Sequence, residues 1–194
     1  MENLEQQGPE MFSDLTQEER KLLRESFGYK KYRKGDYIIK EGDKVESIYH
    51  VLKGLLKLSY TDSDAKEHIL SFASEGWWET DFSAFYLAHP AVLTLQCLED
   101  SEVNMLAKSF YTDLTKEYPT LTQFFLDKSI RGHIASQTRI LSLLNQAPKH
   151  RYEQFLKSYP HLVQRIPKTI LSSYLGVSRE TLSRLYLNDN SSKK

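Results

Sequence analysis

The stretch IPKTILSSYLGVSRETLSRLYL, residues 166–187, decides how the chain is read. It predicts two short helices joined by a tight turn. Pro167 suits a first helical position, where its missing N–H costs nothing. Ile170, Leu171, Tyr174 and Leu175 recur at helical spacing. Gly176 stops that helix by supplying the left-handed conformation such an end requires. Val177 is expected to pack inward. Ser178 is a good N-cap for the second helix, with Thr181 three residues on to hold the first turn. Leu182, Leu185 and Tyr186 make the apolar stripe of that helix, and Arg179, Glu180, Ser183 and Arg184 lie on its other face. This is the pattern of a helix-turn-helix, whose second helix enters the DNA major groove.

The side chains suit that use. Arg179 and Arg184 can each donate two parallel hydrogen bonds to guanine O6 and N7, or bind phosphates. Glu180 can accept from a cytosine amino group. Ser178, Ser183 and Lys168 complete the expected DNA contacts, on phosphates or base edges. On pattern alone an ordinary surface helical hairpin stays open, because helix–Gly–helix is common in bundles. The charge distribution bears on the choice. The chain has 26 Lys/Arg and 26 Asp/Glu, hence no net charge. Residues 145–194 nevertheless hold nine basic against three acidic residues, a surplus of six, and residues 1–144 carry the matching deficit. A basic C-terminal part on an acidic body is the electrostatic footprint of a nucleic-acid reader.

Length and composition set the outer bounds. The 194 residues, 40% of them hydrophobic, suffice for one domain with a real core and a small second one. No apolar run approaches the roughly 20 residues of a membrane span, and the polar start, residues 1–10, has no signal region. Cys97 is the single cysteine, which rules out a disulfide within the chain and a Cys-rich zinc or iron–sulfur site. A reduced cytoplasm is the expected setting, with no membrane partner.

Residues 1–8 read as disordered. Residues 12–27 predict a helix, with a capping box from Thr16 to Glu19, a buried face of Leu15, Leu22, Leu23 and Phe27, and Gly28 as its end. From residue 29 to about 106 the period changes to two. Short β-rich runs cover residue 32 and residues 37–39, 48–52, 55–60, 68–72, 91–98 and 102–106. Gly35-Asp36, Gly42-Asp43, Lys53-Gly54 and residues 61–64 punctuate them. Such spacing argues a β-sandwich or jelly roll. Residues 76–90 hold an aromatic cluster of Trp77, Trp78, Phe82, Phe85 and Tyr86. It reads as a short helix or loop over the barrel mouth, with core packing of a lid as the plainer role.

Residues 110–118 predict a helix broken at Pro119. Residues 120–144 form a long helix, with Leu121, Phe125, Ile130, Ile134, Leu141 and Leu144 as its apolar contacts. Its length and partial heptad spacing suggest a two-stranded dimer seam with Gln137 as a polar seam position. For its first half, packing on the chain's own barrel weighs as much. Residues 146–158 make a further helix, and 161–165 connect to the helix-turn-helix.

This order and spacing resemble the Crp-Fnr family of bacterial regulators, related to the cyclic-AMP receptor protein. Gly35-Asp36, Glu41-Gly42-Asp43, residues 48–54 and Gly76 fall where that family's roll has its turns. Leu175-Gly176-Val177-Ser178-Arg179-Glu180-Thr181 with Arg184 resembles its recognition-helix motif. The resemblance implies an α+β chain in three parts. A cyclic nucleotide-binding-like jelly roll occupies residues 10–118, a dimerisation helix 119–145 and a helix-turn-helix domain 146–194. It also implies that the two Arg and the Glu of the motif contact bases and phosphates.

The chain departs from that family in two places. Relatives that bind cyclic AMP carry a Gly-Glu pair, whose Glu holds the ribose 2′-OH, and then an Arg that neutralises the cyclic phosphate. Here those places hold Thr80-Asp81 and Ala91-Val92. Asp81 remains suited to a ribose hydroxyl, whereas Ala91 cannot neutralise a phosphate. A buried anion without a partner costs several kcal/mol, so cyclic AMP is not the expected effector. Trp78, Thr80, Asp81, Phe82, Ala91 and Val92 are the candidate lining for a less charged ligand. The second departure is the wing, the β-hairpin that usually follows the recognition helix. Residues 188–194 are too few to form it, and Lys193-Lys194 offer a weak substitute for its phosphate contacts.

The six His residues are scattered and no His-x-His occurs, which gives no support to a metal-dependent jelly-roll enzyme. Haem ligation has no positive signal, and Cys97 sits in an apolar run as a core thiol. No phosphate loop or nucleophile elbow is present. The expectation is therefore a homodimeric DNA-binding transcription regulator, not an enzyme. It binds double-stranded DNA, answers to a small effector and leaves room for RNA polymerase as a partner. The alternative is a ligand-binding signalling module that acts through protein partners without DNA.

Overall fold

The structure is a computed structural model that describes residues 14–191, with side chains to residue 186. The expectations for residues 1–8 and for Lys193-Lys194 lie outside the described residues. The elements run α1 (Gln17–Glu25), β1 (Phe27–Tyr32), β2 (Tyr37–Ile39), β3 (Ser47–Lys53), β4 (Leu56–Thr61), β5 (Glu67–Ala73), β6 (Trp78–Glu79) and α2 (Phe82–Leu87). They continue with β7 (Thr94–Cys97), β8 (Ser101–Ala107), α3 (Lys108–Glu117), α4 (Pro119–Asn145), α5 (Pro148–Ser158), α6 (Lys168–Leu175) and α7 (Arg179–Ser191). Two compact units result: Met1–Tyr60 with Ser71–Arg131, and Thr61–Leu70 with Gly132–Lys194.

In the first unit the period-two pattern gives two four-stranded sheets, ordered β1-β8-β3-β6 and β2-β7-β4-β5. The register pairs Phe27 with Leu106, Val51 with Val103, and Leu56 with Cys97, all antiparallel. Val51, Leu55, Leu56, Leu95, Val103 and Leu106 are wholly buried in the core. Each contributes about 1.5–3 kcal/mol of transfer free energy. The turn at Lys53-Gly54 is fixed by sterics as well as by pattern. Gly54 has φ of 101°, and a Cβ there would lie 2.8 Å from the Asp100 carbonyl oxygen.

Several boundaries correct the sequence reading. The capping box of α1 forms, with Glu19 N donating to Thr16 Oγ1 at 3.2 Å and Thr16 N to Glu19 Oε2 at 2.8 Å. The helix stops at Ser26, however, and Phe27 and Gly28 belong to β1. In β1, Gly28 faces Met105, and strand pairing claims its backbone before any helix end can. The run 91–98 shortens to β7, because Ala91 instead exchanges hydrogen bonds with the backbone of Gly42 and Asp43. Trp78 lies in the sheet rather than in a lid. It stacks on His50 at 4.7 Å and meets Phe125 edge-on at 5.4 Å. Pro167 caps α6 instead of starting it, and Pro119 and Pro148 open α4 and α5.

The long helix α4 divides by burial. Leu121, Phe124 and Phe125 are buried, where Phe124 and Phe125 pack on Trp78. Beyond them Ile130, Ile134, Leu141 and Leu144 are exposed, the last by 78%. With Gln137 they recur at spacings of four, three, four and three residues, the period of a coiled-coil seam. Among the described residues no helix is long and apolar enough to cross a membrane.

Candidate nucleic-acid interface

The turn between α6 and α7 positions the polar face read from the sequence. Gly176 adopts φ of 63°, and the Val177 amide returns to the Ser172 carbonyl at 3.0 Å. The C-terminal carbonyls of α6 are held from α5. Arg151 donates through Nε to Leu175 O at 2.8 Å, through Nη2 to Gly176 O at 3.3 Å and through Nη1 to Gln146 O at 2.6 Å. A cation at a helix C-terminus also offsets its dipole. Ser178 caps α7 by accepting from Thr181 N at 3.2 Å. Leu171, Leu175 and Leu182 are buried with Tyr152 and Phe155 of α5. The pairs Tyr152–Tyr186 and Phe155–Tyr174, at 5.8 and 5.6 Å, fill the space between the helices.

With that face of α7 buried, the other is free. Ser178, Arg179, Glu180, Ser183 and Arg184 are all exposed. Their spacing puts residues 179, 180, 183 and 184 side by side on one helix surface. Glu180 stands in the first turn of α7, where its own backbone N–H, then the Ser178 hydroxyl, hold its carboxyl below the usual range. It is therefore an acceptor among donors. Lys168, at the start of α6, lies over the Tyr186 ring at 4.6 Å. The structure thus gathers five of the six residues singled out for DNA at the head of α7 and tethers the sixth through Tyr186. Sequence reasoning missed Arg151, since a lone Arg inside a helix carries no signal of the carbonyls it will meet.

The candidate effector residues behave differently. Trp78, Thr80, Asp81 and Ala91 are buried, whereas Phe82 and Val92 are exposed. Thr80 donates to Ser47 O at 3.0 Å. Asp81 caps α2 by accepting from Ala84 N at 3.1 Å, and its other oxygen accepts from Val92 N at 2.9 Å and Leu93 N at 3.0 Å. Both carboxylate oxygens are thus engaged in fastening the 81–93 segment. The sequence reading also passed over Glu79. Strand alternation turns it away from Trp78 into the roll, where Ser71 of the opposite sheet donates to it at 2.7 Å. Burial raises its carboxyl to about 7, against the hydrogen bonds from Ser71 and the Thr80 amide. Cys97 is buried, and its thiol is pushed up to about 11, chiefly by burial. Among the described residues no three His, Cys, Asp or Glu side chains cluster to hold a metal ion.

Parts of the chain match known proteins. The cyclic nucleotide-binding domain matches residues 29–118, which span β1 through α3. The fumarate and nitrate reduction regulatory protein of Yersinia pestis is 27% identical over 168 residues, 80% of this chain and 66% of that protein. The chain is thus similar to regulators of the kind the resemblance named. The solved structure of FixK2 from Bradyrhizobium japonicum superposes with a TM-score of 0.77 at 18% identity, covering 86% of each chain. The catabolite activator protein of Thermus thermophilus gives 0.58 at 22% identity, over 94% of this chain and 87% of that one. The chain spans just under two thirds of the length of the curated proteins it matches. Its fold is the α+β roll with helices that the resemblance implied.

Proposed function

We propose that the chain is a homodimeric, sequence-specific DNA-binding regulator whose roll answers to a small effector other than cyclic AMP. The observation that carries this is the head of α7. One surface of the helix is buried by Leu182, and the opposite surface presents Arg179, Glu180, Ser183 and Arg184 with no apolar residue among them. Arg179 and Arg184 read bases or grip phosphates, Glu180 accepts from cytosine, and Ser178, Ser183 and Lys168 hold the backbone. The exposed seam of α4 supports pairing with a second copy, since apolar side chains at heptad spacing gain most by facing their own kind. Two recognition helices about 34 Å apart then enter successive major grooves.

Effector chemistry follows from charge. Ala91 stands where cyclic-AMP-binding relatives have Arg, and the buried side chains next to it in the 79–93 segment, Glu79 and Asp81, are acidic rather than basic. A cyclic phosphate would be buried without a counter-ion, so calorimetry is expected to find no micromolar affinity for cyclic AMP. Selection of duplexes from random sequence, followed by gel shift, tests the main proposal. The expected result is a pseudo-palindromic site bound by a dimer with salt-sensitive affinity. A strictly monomeric chain that shifts no duplex overturns it and favours a module acting through protein partners.

A further inference from the structure

Two guanidinium groups stand close together in the C-terminal unit, and their circumstances differ. Arg151 is consumed by three backbone carbonyls, as described above. Arg139 of α4 donates through Nη2 to Ile69 O at 2.7 Å and lies 3.6 Å from the centre of the Tyr174 ring. Burial lowers its pKa, and the groups that act on its charge are Tyr174, Tyr159 and Arg151. Among the described residues no carboxylate pairs with it. A cation withdrawn from water beside a second cation, with no anion, is an unfavourable arrangement unless something anionic completes it.

A cavity of about 170 Å³ opens at this place, between α4, α5 and α6. Thr138, Arg139, Ser142, Arg151, Gln154 and Tyr159 give it its polar wall. Among the described residues no acidic side chain lines it. Gln154 Oε1 is buried and finds no hydrogen-bond partner among the described residues. An orphaned buried acceptor is unfavourable until a donor reaches it. The cavity therefore asks for two things in one molecule: anionic oxygens for Arg139 and a hydroxyl for Gln154. Since one water needs about 10–15 Å³ on this measure, there is room for on the order of ten non-hydrogen atoms.

We propose that this cavity is a binding site for a small hydroxylated anion, with the anionic group on Arg139 and a hydroxyl donating to Gln154 Oε1. Phosphate monoesters and hydroxycarboxylates share that chemistry. Its lining shares no residue with the candidate effector set or with the head of α7, and it stands whether or not the chain reads DNA.

Calorimetric titration of the full chain with glycerol 3-phosphate, glycerate and sulfate tests it, with amide NMR spectra to check folding. Glycerol 3-phosphate or glycerate should saturate in the millimolar range or below, and whichever is tighter identifies the anionic group. Arg139→Gln should weaken binding at least tenfold. Gln154→Leu should weaken the hydroxylated probes about three- to tenfold and leave sulfate, which has no hydroxyl at neutral pH, unchanged. Thr138→Leu, which fills the cavity from its exposed edge, should abolish binding even if Arg139→Gln fails to fold. No saturable heat with either hydroxylated probe at 10-fold millimolar excess overturns the proposal. So does binding that persists in Thr138→Leu, or that falls equally in Arg184→Gln, which would assign the anion to the head of α7.

Discussion

Glu79 and His50 face opposite sides of the sheet that holds β3 and β6, and burial acts on them in opposite senses. The Glu79 carboxyl is raised to about 7 from 4.5, and the His50 imidazole is lowered to about 3 from 6.5, in both cases chiefly by burial. Above pH 4.5 the unfolded chain ionises Glu79 while the folded chain does not, so this group removes stability as pH rises to about 7. Below pH 6.5 the unfolded chain protonates His50 while the folded chain does not, so that group removes stability as pH falls. Between about pH 4.5 and 6.5 the two slopes cancel. Glu79→Gln keeps the Ser71 hydrogen bond and deletes one of them. Urea unfolding should find the variant equal to wild type at pH 4 and about 2–3 kcal/mol more stable at pH 7. A constant difference at both pH values would refute the assignment. At the same scale, Arg184→Ala should cost roughly 1–3 kcal/mol of discrimination between the selected site and a mutated one, if Arg184 reads a base. Equal loss on both sites, measured by fluorescence anisotropy, would make it a phosphate contact. The sequence disclosed the exposed place of Arg184 because that follows from position on one helix. It concealed Glu79, whose environment comes from Ser71 on the opposite sheet.

At the scale of elements, periodicity carried the reading and tertiary pairing corrected its ends. The capping box of Thr16 and Glu19 and the Gly176 stop are local devices, and both form as the residues imply. Gly28 looks like a helix stop until β8 is known to lie beside it. Asp81 looks like a ligand residue until Val92 and Leu93 come back to meet it. That return makes Asp81 the fastening of α2 to the segment before β7. Asp81→Ala removes one helix cap and two further amide bonds to a buried charge, and should lower stability by about 2–4 kcal/mol. Thermal unfolding checks this, and Asp81→Asn should recover about half the loss, because one amide oxygen can still accept. The exposed apolar stripe of α4 was legible for the opposite reason. A heptad needs no partner element to be seen, and its exposure in a single chain is what a seam predicts. If the chain pairs through α4 as proposed, Ile134→Asp with Leu141→Asp should convert the dimer to monomer in sedimentation experiments while far-UV dichroism stays unchanged. Both side chains are more than half exposed in the single chain, so their loss creates no cavity.

For the whole molecule, a net charge of zero gives no long-range attraction to DNA, so the proposed affinity has to come from the six-charge surplus of residues 145–194. Such binding releases counterions from DNA, and the logarithm of the association constant falls with the logarithm of salt by about 0.9 per phosphate neutralised. Lys168 offers a way to count reading heads. It lies over the Tyr186 ring and forms no ion pair among the described residues, so Lys168→Gln removes one charge without releasing an acid there. If one chain binds alone, the salt slope should become shallower by about 0.9. In a symmetric dimer each substitution acts twice, and the change should be about 1.8, with the affinity for all duplexes reduced alike. Combining Lys168→Gln with the α4 seam variant separates the two terms. The monomeric protein should lose only the smaller increment, because one head remains on the duplex. An unchanged slope in both backgrounds would place Lys168 away from the phosphates and leave Arg179 and Arg184 as the charges that hold the backbone.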